Sequence, residues 1–179
     1  MVASAGLDHV TVAQVAKASG VSSALVHYHF ATKQKLLAAA AERLATRRAE
    51  RRGVALATTR GLSSLDALWD ALADPRSDAE RSAPDLLLLA RQDREVAAMI
   101  RRLRAQELSR VADALPPLFA GLGARMPIPA EELAATVCLF LDGAVVALLA
   151  GSRADDVRAS YDAFWLALVA LGQAAPRGP

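Results

Sequence analysis

Apolar residues recur at the three- and four-residue spacing of amphipathic helices along almost the whole chain, and no stretch alternates as a strand would. The clearest pattern lies in residues 11–30, TVAQVAKASGVSSALVHYHF. Thr11 and Ser22 are suited to cap two short helices, because their hydroxyls can accept from free amides of the first turn. Gly20 can adopt the positive φ that a residue just past a helix end often needs. The spacing predicts two helices around a tight turn, which is a helix-turn-helix.

The second of these helices is predicted to have two different faces. With Val26 at the centre of the inward face and about 100° per residue, Ser22, His29 and Phe30 turn towards the core. The apolar members of the outward face can contact thymine methyl groups, and its ring-bearing polar members can bond a base edge or a phosphate. The outward residues are Ala24, Leu25, His27 and Tyr28.

The rest of the chain predicts helices only. A helix over about 32–52 has Thr32 as its cap and Lys33 in its first turn, where a phosphate contact is natural. Pro116 and Pro117 should end or kink a later amphipathic helix. The predicted helices after the third span 63–75, which Pro75 closes, 77–92, which Pro84 starts or kinks, and about 94–115, followed by a loop over 121–129.

The last two predicted helices, in 129–151 and 155–172, are apolar over more than one stripe. Such a helix must be buried on two sides, either by a second copy of the chain or entirely within one chain. Small residues would allow close crossing in a four-helix bundle about a twofold axis. The face of the final helix is predicted to comprise Val157, Tyr161, Phe164, Leu168 and Leu171, widened by Trp165, Leu166 and Val169. The predicted dimer interface contains Phe140, Gly143, Ala144, Ala147, Tyr161, Phe164, Trp165 and Leu168.

Candidate ligand chemistry lies in the middle helices. A pocket there would have Trp69, Leu72, Met99, Leu103 and Phe140 as walls, although the same residues are expected in an ordinary core. Asp142, inside an apolar helix, can make a structural hydrogen bond, face the dimer seam or orient a ligand, and the first is favoured. An anionic effector is conceivable, but solvated side chains explain the same arginines: Arg91, Arg94, Arg101, Arg102 and Arg104.

Composition changes this picture in two respects. At 179 residues and 54% apolar the chain can bury a sizeable core, and its charge is uneven: residues 1–60 carry nine Lys/Arg against three Asp/Glu, and residues 61–179 carry twelve against sixteen. The positive segment is the one expected to meet phosphate. Part of that charge is equally well explained by a solvated helix face, formed by Arg47, Arg48, Arg51 and Arg52.

Several function classes are disfavoured. The single Cys138 lies in an apolar run and is expected to be a buried small hydrophobe rather than a nucleophile. His27 and His29, two positions apart on a helix, point about 200° from each other and cannot chelate one ion, and His9 stands alone. We expect no enzyme, no metal and no cofactor. No signal peptide is seen and no apolar run approaches the ~18 residues of a membrane span, so a cytoplasmic protein without membrane contact is expected.

The stretch from Gly6 to about Leu37, VTVAQVAKASGVSSALVHYHFATKQKLL at its centre, closely resembles the DNA-binding segment of the tetracycline-repressor (TetR) family. The family pattern runs as T, two residues, IA, three residues, GVS, then a short helix ending in YYHF, a small residue, S or T, and K. The resemblance implies a homodimeric regulator, usually a repressor, whose C-terminal domain binds a small-molecule inducer. His27 stands where the family more often has Tyr. By position, the DNA-contacting residues would be Thr11, Ser22, Ser23, Ala24, Leu25, His27, Tyr28, His29 and Lys33.

One departure concerns the first helix, which in family members packs across the helix-turn-helix. Only MVASAG precedes the match, so we expect most of that helix to be missing, through truncation or as a real feature. The predicted fold is all-α, with a helix-turn-helix DNA-binding domain in 1–45 and a helical ligand-binding and dimerisation domain in 46–179. The expected function is a homodimeric repressor of a palindromic operator, released by a small-molecule effector. The alternative is a dimeric helical sensor or interaction protein that has lost operator binding through its shortened head.

Overall fold

The computed structural model describes residues 10–58 and 61–174, except for the side chains of Thr58 and Ala83. These residues form nine helices and no strand, which confirms the all-α prediction. Predictions about His9 and the first helix lie outside the described residues. The helices are α1 (Val12–Ser19), α2 (Ser23–Phe30), α3 (Lys33–Thr58), α4 (Leu62–Ala73), α5 (Asp78–Arg81), α6 (Ala83–Gln92), α7 (Arg94–Gly121), α8 (Ala130–Leu149) and α9 (Ala154–Ala174).

The described residues divide into two compact units. Unit 1 contains residues 10–47 and 78–103, and unit 2 contains the described residues of 48–77 and 104–174. Unit 1 has an apolar cluster to which α3, α6 and α7 contribute, and a smaller cluster where α1 and α2 meet. The division into a DNA-binding domain in 1–45 and a second domain in 46–179 stays a prediction.

Unit 2 has the larger apolar core, built from the ends of α3 and α7 together with α4, α8 and α9. The Tyr161 hydroxyl donates to the backbone oxygen of Leu65 at 2.7 Å, which ties α9 to α4. Burial of the ring raises the pKa of Tyr161, so the hydroxyl remains a donor throughout the physiological range. The fully buried side chains include Leu68, Val111, Leu115, Phe119, Leu133, Val137, Leu141 and Tyr161.

Pro116 and Pro117 lie inside α7, which continues to Gly121. The prediction that they end this helix is therefore wrong. A proline removes one intrahelical hydrogen bond, but burial of neighbouring apolar side chains opposes the loss. Leu115, Leu118 and Phe119, on both sides of the prolines, are all buried in the core of unit 2. In the helix after Ser82, Pro84 lies in the first turn, so it starts α6 rather than kinking it.

Five charged side chains form an ionic cluster in unit 2. Arg52 Nη1 lies 2.9 Å from Asp142 Oδ1 and 3.2 Å from Glu107 Oε1, and Arg104 Nη1 lies 3.0 Å from Asp142 Oδ2 and 2.9 Å from Glu107 Oε2. Arg48 approaches the same two carboxylates at 3.6 and 3.8 Å. Of the roles considered for Asp142, the structural hydrogen bond is confirmed. The prediction of a solvated face is wrong for Arg52, which is 0% exposed, because α3 turns this side chain into the unit.

Helix α8 is long and apolar enough to cross a membrane, judged by length and composition alone. By that measure, the expectation that no stretch approaches a membrane span is wrong. Within unit 2, Leu133, Val137 and Leu141 of this helix are fully buried. Cys138 on the same helix is also fully buried and free, as predicted.

Candidate nucleic-acid interface

Helix α1 begins with two reciprocal hydrogen bonds. Thr11 Oγ1 accepts from the backbone N–H of Gln14 at 3.2 Å, and Gln14 Oε1 accepts from the backbone N–H of Thr11 at 2.9 Å. This capping box satisfies two amides that a helix start would otherwise leave free. Thr11 was predicted as a cap, and the structure confirms it. The contribution of Gln14 was missed, although Gln three residues after a Thr cap is a recognisable signal.

The turn between α1 and α2 is closed by backbone hydrogen bonds. Gly20 has φ 68° and ψ 24°, and the N–H of Val21 donates to the oxygen of Ala16 at 3.0 Å. A second bond joins the N–H of Gly20 to the oxygen of Lys17 at 3.4 Å. These are the two bonds of a Schellman motif, in which a left-handed residue ends the helix. The positive φ predicted for Gly20 is confirmed.

Helix α2 starts at a second cap, where Ser22 Oγ accepts from the backbone N–H of Leu25 at 3.1 Å. Ala16, Val26 and Leu36 are buried together, with exposed fractions of 2%, 6% and 8%. The small side chain of Ala16 lets α2 approach α1 closely. Val26 is the centre of the buried face, and Phe30 packs partly against the same cluster.

The opposite face of α2 is open to solvent. Tyr28 is 83% exposed and Leu25 is 44% exposed. Residues Ser22, Ser23, Ala24, His27 and His29 are exposed as well. Ser22 and His29 were predicted to turn towards the core, and that prediction is wrong: a helix of eight residues buries little beyond Val26, and the ring of His29 instead meets the edge of the Tyr28 ring.

A second group of exposed polar residues lies where α3 begins. Thr32 Oγ1 accepts from the backbone N–H of Lys35 at 3.2 Å, which confirms Thr32 as the cap. Lys33 is the first residue of α3 and is exposed. Helix N-termini carry a partial positive charge and free amides, so this end of α3 is suited to an anion such as a phosphate.

Charge along this part of the chain is of one sign. Residues 10–41 contain three lysines and no Asp or Glu, and all three lysines, Lys17, Lys33 and Lys35, are exposed. The exposed face of α2 therefore lies in a segment without negative charges of its own. Such a surface attracts nucleic acid through its phosphates, and the groups on α2 can then contact base edges or sugar and phosphate oxygens.

The structure does not place the five predicted ligand-binding residues in one unit. Met99 and Leu103 pack on the apolar cluster of unit 1, and Leu72 is buried in the core of unit 2. Trp69 and Phe140 both approach Tyr161 in unit 2, with ring centroids 5.3 and 6.5 Å away. Their role as walls of a pocket stays a prediction.

The predicted dimer-interface residues fall into two groups. Tyr161 and Trp165 are only 0% and 2% exposed, and Ala144 is 8% exposed, so they lie in the chain's own core and offer almost no surface to a second copy. The assignment of Tyr161 and Trp165 to the interface is therefore wrong, because the buried face of α9 centres on these two residues, whereas Ala144 of α8 lines a groove between α8 and α9. Because the buried face of α9 centres on Tyr161 and Trp165, Leu171 is 59% exposed, although it was predicted to share the apolar face with Tyr161. The others, Phe140, Gly143, Ala147, Phe164 and Leu168, are partly or fully exposed.

A groove of about 500 Å³ runs between α8 and α9 on this outer side. Gly143 and Ala147 of α8 and Ser160 of α9 are among its lining residues. Two large apolar side chains of α8 are also exposed: Leu139 is 69% exposed and Val146 is 55% exposed.

In the part of the chain that the structure describes, no group of three or more His, Cys, Asp or Glu side chains that could hold a metal ion comes together. Cys138, which is fully buried, has its pKa raised to about 11 by loss of hydration, so its thiol is protonated at neutral pH. A protonated, inaccessible thiol is a poor nucleophile.

Comparisons with known proteins fit this geometry. Residues 1–40 match the model of bacterial regulatory proteins of the tetR family. No curated protein shows significant similarity to the chain. A solved structure from Rhodococcus sp., described as a TetR-family transcriptional regulator, superposes with a TM-score of 0.71 at 21% identity, over 94% of this chain and 92% of that one. A transcriptional regulator from Saccharomonospora viridis, solved in complex with choline, gives a TM-score of 0.69 at 20% identity over 91% and 88%.

Proposed function

Since the chain belongs to the TetR family by its DNA-binding segment and its fold, we propose that it is a homodimeric repressor that binds a palindromic operator and is released by a small-molecule effector. The observation that carries this proposal is the exposed face of α2, which presents Leu25, His27 and Tyr28 in a segment free of acidic residues. We place the protein in the cytoplasm, where it meets DNA, and assign it no catalytic role, metal or cofactor.

Helix α2 is proposed as the recognition helix in the major groove. Ala24 and Leu25 would contact thymine methyl groups, while His27 and Tyr28 would bond base edges or phosphates. Thr11, Ser22, Ser23, His29 and Lys33 are proposed as further DNA contacts. With no Arg, Asn or Gln on this face, specificity would depend on methyl contacts and on DNA shape.

A dimer is proposed because one short helix reads too few bases. Two recognition helices about 34 Å apart would read successive major grooves of a palindrome. The groove between α8 and α9, and the exposed apolar side chains Leu139 and Val146 of α8, support the outer surface of these helices as the contact between copies. Gly143 and Ala147 would allow helices of the two copies to cross closely.

Release by an effector is supported by the choline that the Saccharomonospora viridis protein holds, since it indicates that this fold accepts a small organic molecule. Of the predicted ligand-binding residues, Trp69, Leu72 and Phe140, which all belong to unit 2, remain the proposed walls. Binding between the middle helices would change the separation of the recognition helices, and a coupling of about 1 to 3 kcal/mol would be sufficient.

Operator binding is tested by fluorescence anisotropy, titrating the protein into DNA from the promoter region next to its own gene at two salt concentrations. We expect affinity to fall steeply with salt and to favour one palindromic site over scrambled DNA. Absence of binding at both salt concentrations would contradict the repressor and favour the dimeric sensor that lacks operator binding.

Single substitutions test the proposed DNA contacts of α2 and of the start of α3 separately. Tyr28→Ala should cost about 1 to 3 kcal/mol of operator binding free energy. Lys33→Ala removes one phosphate contact, so the slope of log affinity against log salt concentration should become shallower by about one. Arg110→Ala serves as the matched control for lost charge, because Arg110 is exposed on α7 in unit 2. If the Arg110 variant lost as much affinity as the Lys33 variant, a site-specific contact at Lys33 would be refuted.

The dimer is tested by light scattering after size exclusion. Leu139→Lys places a charge in the proposed interface and should give monomers, whereas Leu87→Lys, at a position 61% exposed on α6 of unit 1, should leave the mass unchanged. A wild-type protein that is monomeric at high concentration would remove this part of the proposal.

A further inference from the structure

A second cavity of unit 2, of about 850 Å³, lies between the start of α4, the end of α7 and one side of α9. Its volume falls in the range of pockets that bind small organic molecules. Most of its wall is apolar, and two of the wall residues, Leu62 and Leu166, are themselves 70% and 71% exposed. The apolar walls are Leu62, Leu65, Leu122, Leu166 and Val169.

The charged groups of this cavity are Asp66, Arg158 and Asp162. Arg158 Nη2 donates to Asp66 Oδ1 at 2.6 Å, and Arg158 Nε donates to Asp162 Oδ1 at 2.8 Å. One guanidinium thus serves two carboxylates, so the lining carries one excess negative charge. Asp66 and Asp162 are 61% and 55% exposed at their side chains, which leaves both able to accept a further cation.

Aromatic rings complete the site. The guanidinium carbon of Arg158 lies 5.5 Å from the ring centroid of Trp69 and 5.6 Å from that of Tyr161. Cations are attracted to ring faces at this distance. Tyr161 and Trp165 also belong to the cavity wall. The cavity therefore combines carboxylates, ring faces and hydrocarbon. The guanidinium of Arg158, a cation, already contacts both the carboxylates and the ring faces.

We propose that this cavity binds a small organic monocation, an alkylammonium or quaternary ammonium compound with a short hydrocarbon group. Its charge lies against Asp66 and Asp162, and its hydrocarbon group lies on Leu62 and Leu166. An anion would meet the excess negative charge, and a neutral molecule would gain nothing from it. The proposal concerns unit 2 alone and does not depend on operator binding.

Intrinsic fluorescence of the full chain reports on this site, because Trp69 and Trp165 are the only two tryptophans of the sequence and both lie at or beside the cavity. The protein is titrated with hexyltrimethylammonium, with hexanoate and hexanol as probes of equal chain length. We expect saturable binding of the cation, at least about tenfold tighter than either control. Equal binding of hexanoate, or no saturable signal with the cation, would overturn the proposal.

Variants test the assigned groups. The double change Asp66→Asn and Asp162→Asn should weaken cation binding at least about tenfold, whereas Asp70→Asn, at an exposed position on the same helix outside the cavity, should leave it unchanged. Arg158→Gln should instead strengthen cation binding, because it frees both carboxylates and the ring faces. A merely structural role for Arg158 would weaken binding in that variant. Circular dichroism checks that each variant is folded, and unchanged affinity in the double variant would refute the site.

Discussion

The helix-turn-helix and the ionic cluster of unit 2 are held together over very different distances along the chain. In α1 and α2 the caps and turn join near neighbours: Thr11 with Gln14, Ala16 with Val21, and Ser22 with Leu25. In the ionic cluster, Arg52 meets Glu107 and Asp142, which lie 55 and 90 positions away. The first kind of contact leaves a pattern in the sequence, and the second kind does not.

This difference explains which predictions succeeded. Thr11, Gly20 and Ser22 were assigned their positions correctly, because each acts on its own turn of helix. Arg52 was assigned to a solvated face or a phosphate contact, because its neighbours in sequence are charged and its carboxylate partners are far away. Local chemistry thus identified the candidate DNA-binding surface, while the interior of unit 2 was recognised only as apolar.

The largest effect is expected where a long-range contact is broken. Glu107→Gln leaves the buried Arg52 without one of its carboxylates and should lower the free energy of unfolding by about 3 kcal/mol. The measurement is urea unfolding at fixed protein concentration. Glu42→Gln is the control, since the Arg102–Glu42 pair, at 2.9 Å, is no longer than the 3.2 Å Arg52–Glu107 pair but is exposed, and its loss should cost less than about 1 kcal/mol. Equal losses would mean that burial does not distinguish the two pairs.

A smaller loss is expected from Gly172→Ala in α9. A Cβ at position 172 would collide with the backbone oxygen of Arg125, whose N–H donates to the oxygen of Gly172 at 3.2 Å. The crowding should cost about 2 kcal/mol in urea unfolding. At Gly53, within α3, a Cβ meets nothing within 4 Å, so Gly53→Ala should raise stability by about 0.5 to 1 kcal/mol. A stabilising Gly172→Ala would contradict the close approach of α9 to the 121–129 loop.

The turn of the helix-turn-helix should respond to backbone strain alone. Gly20 has a positive φ and open space around it, so Gly20→Ala should cost about 1 kcal/mol without any steric collision. Gly20→Asn should recover part of the loss, because Asn tolerates the left-handed region better than Ala. Thermal unfolding followed by circular dichroism compares the two, and a variant ranking in which Ala is the more stable would show that side-chain space, not φ, governs this position.

The smallest effect concerns Cys138 and alkaline pH. Its pKa is raised from 9.0 to about 11, so between these values the unfolded chain releases a proton that the folded chain retains. The contribution of this group to the free energy of unfolding is fully present below pH 9 and is lost as pH rises towards 11. The loss amounts to about 0.8 kcal/mol at a pH of about 9.5. Unfolding experiments at neutral and alkaline pH should show a weaker pH dependence for Cys138→Ala. An identical dependence in both proteins would refute burial of the thiol.

Most helices were predictable, and the failures have physical causes. Helix α7 continues past Pro116 and Pro117 because buried neighbours offset the lost hydrogen bonds, a balance that no local rule contains. The buried face of α9 was predicted to include Phe164 rather than Trp165, the next residue. The error arose because α9 has apolar residues on more than one of its sides, so their spacing does not identify a single buried face. The link between Arg158 and Asp162 follows helical spacing, whereas Asp66, 92 positions from Arg158, has no signal in the sequence.

The sequence by itself determined the all-helical class, the helix-turn-helix with its caps and left-handed glycine, and the outward positions of Leu25, His27 and Tyr28. These depend on residues within one or two helical turns of each other, whose interactions are fixed by backbone geometry. Only the tertiary structure decided that Arg52 is buried, that Tyr161 and Trp165 lie in the core, and that Asp66 joins Arg158. Such contacts require the packing of several helices, because burial and ion pairing depend on partners that the order of residues does not bring together.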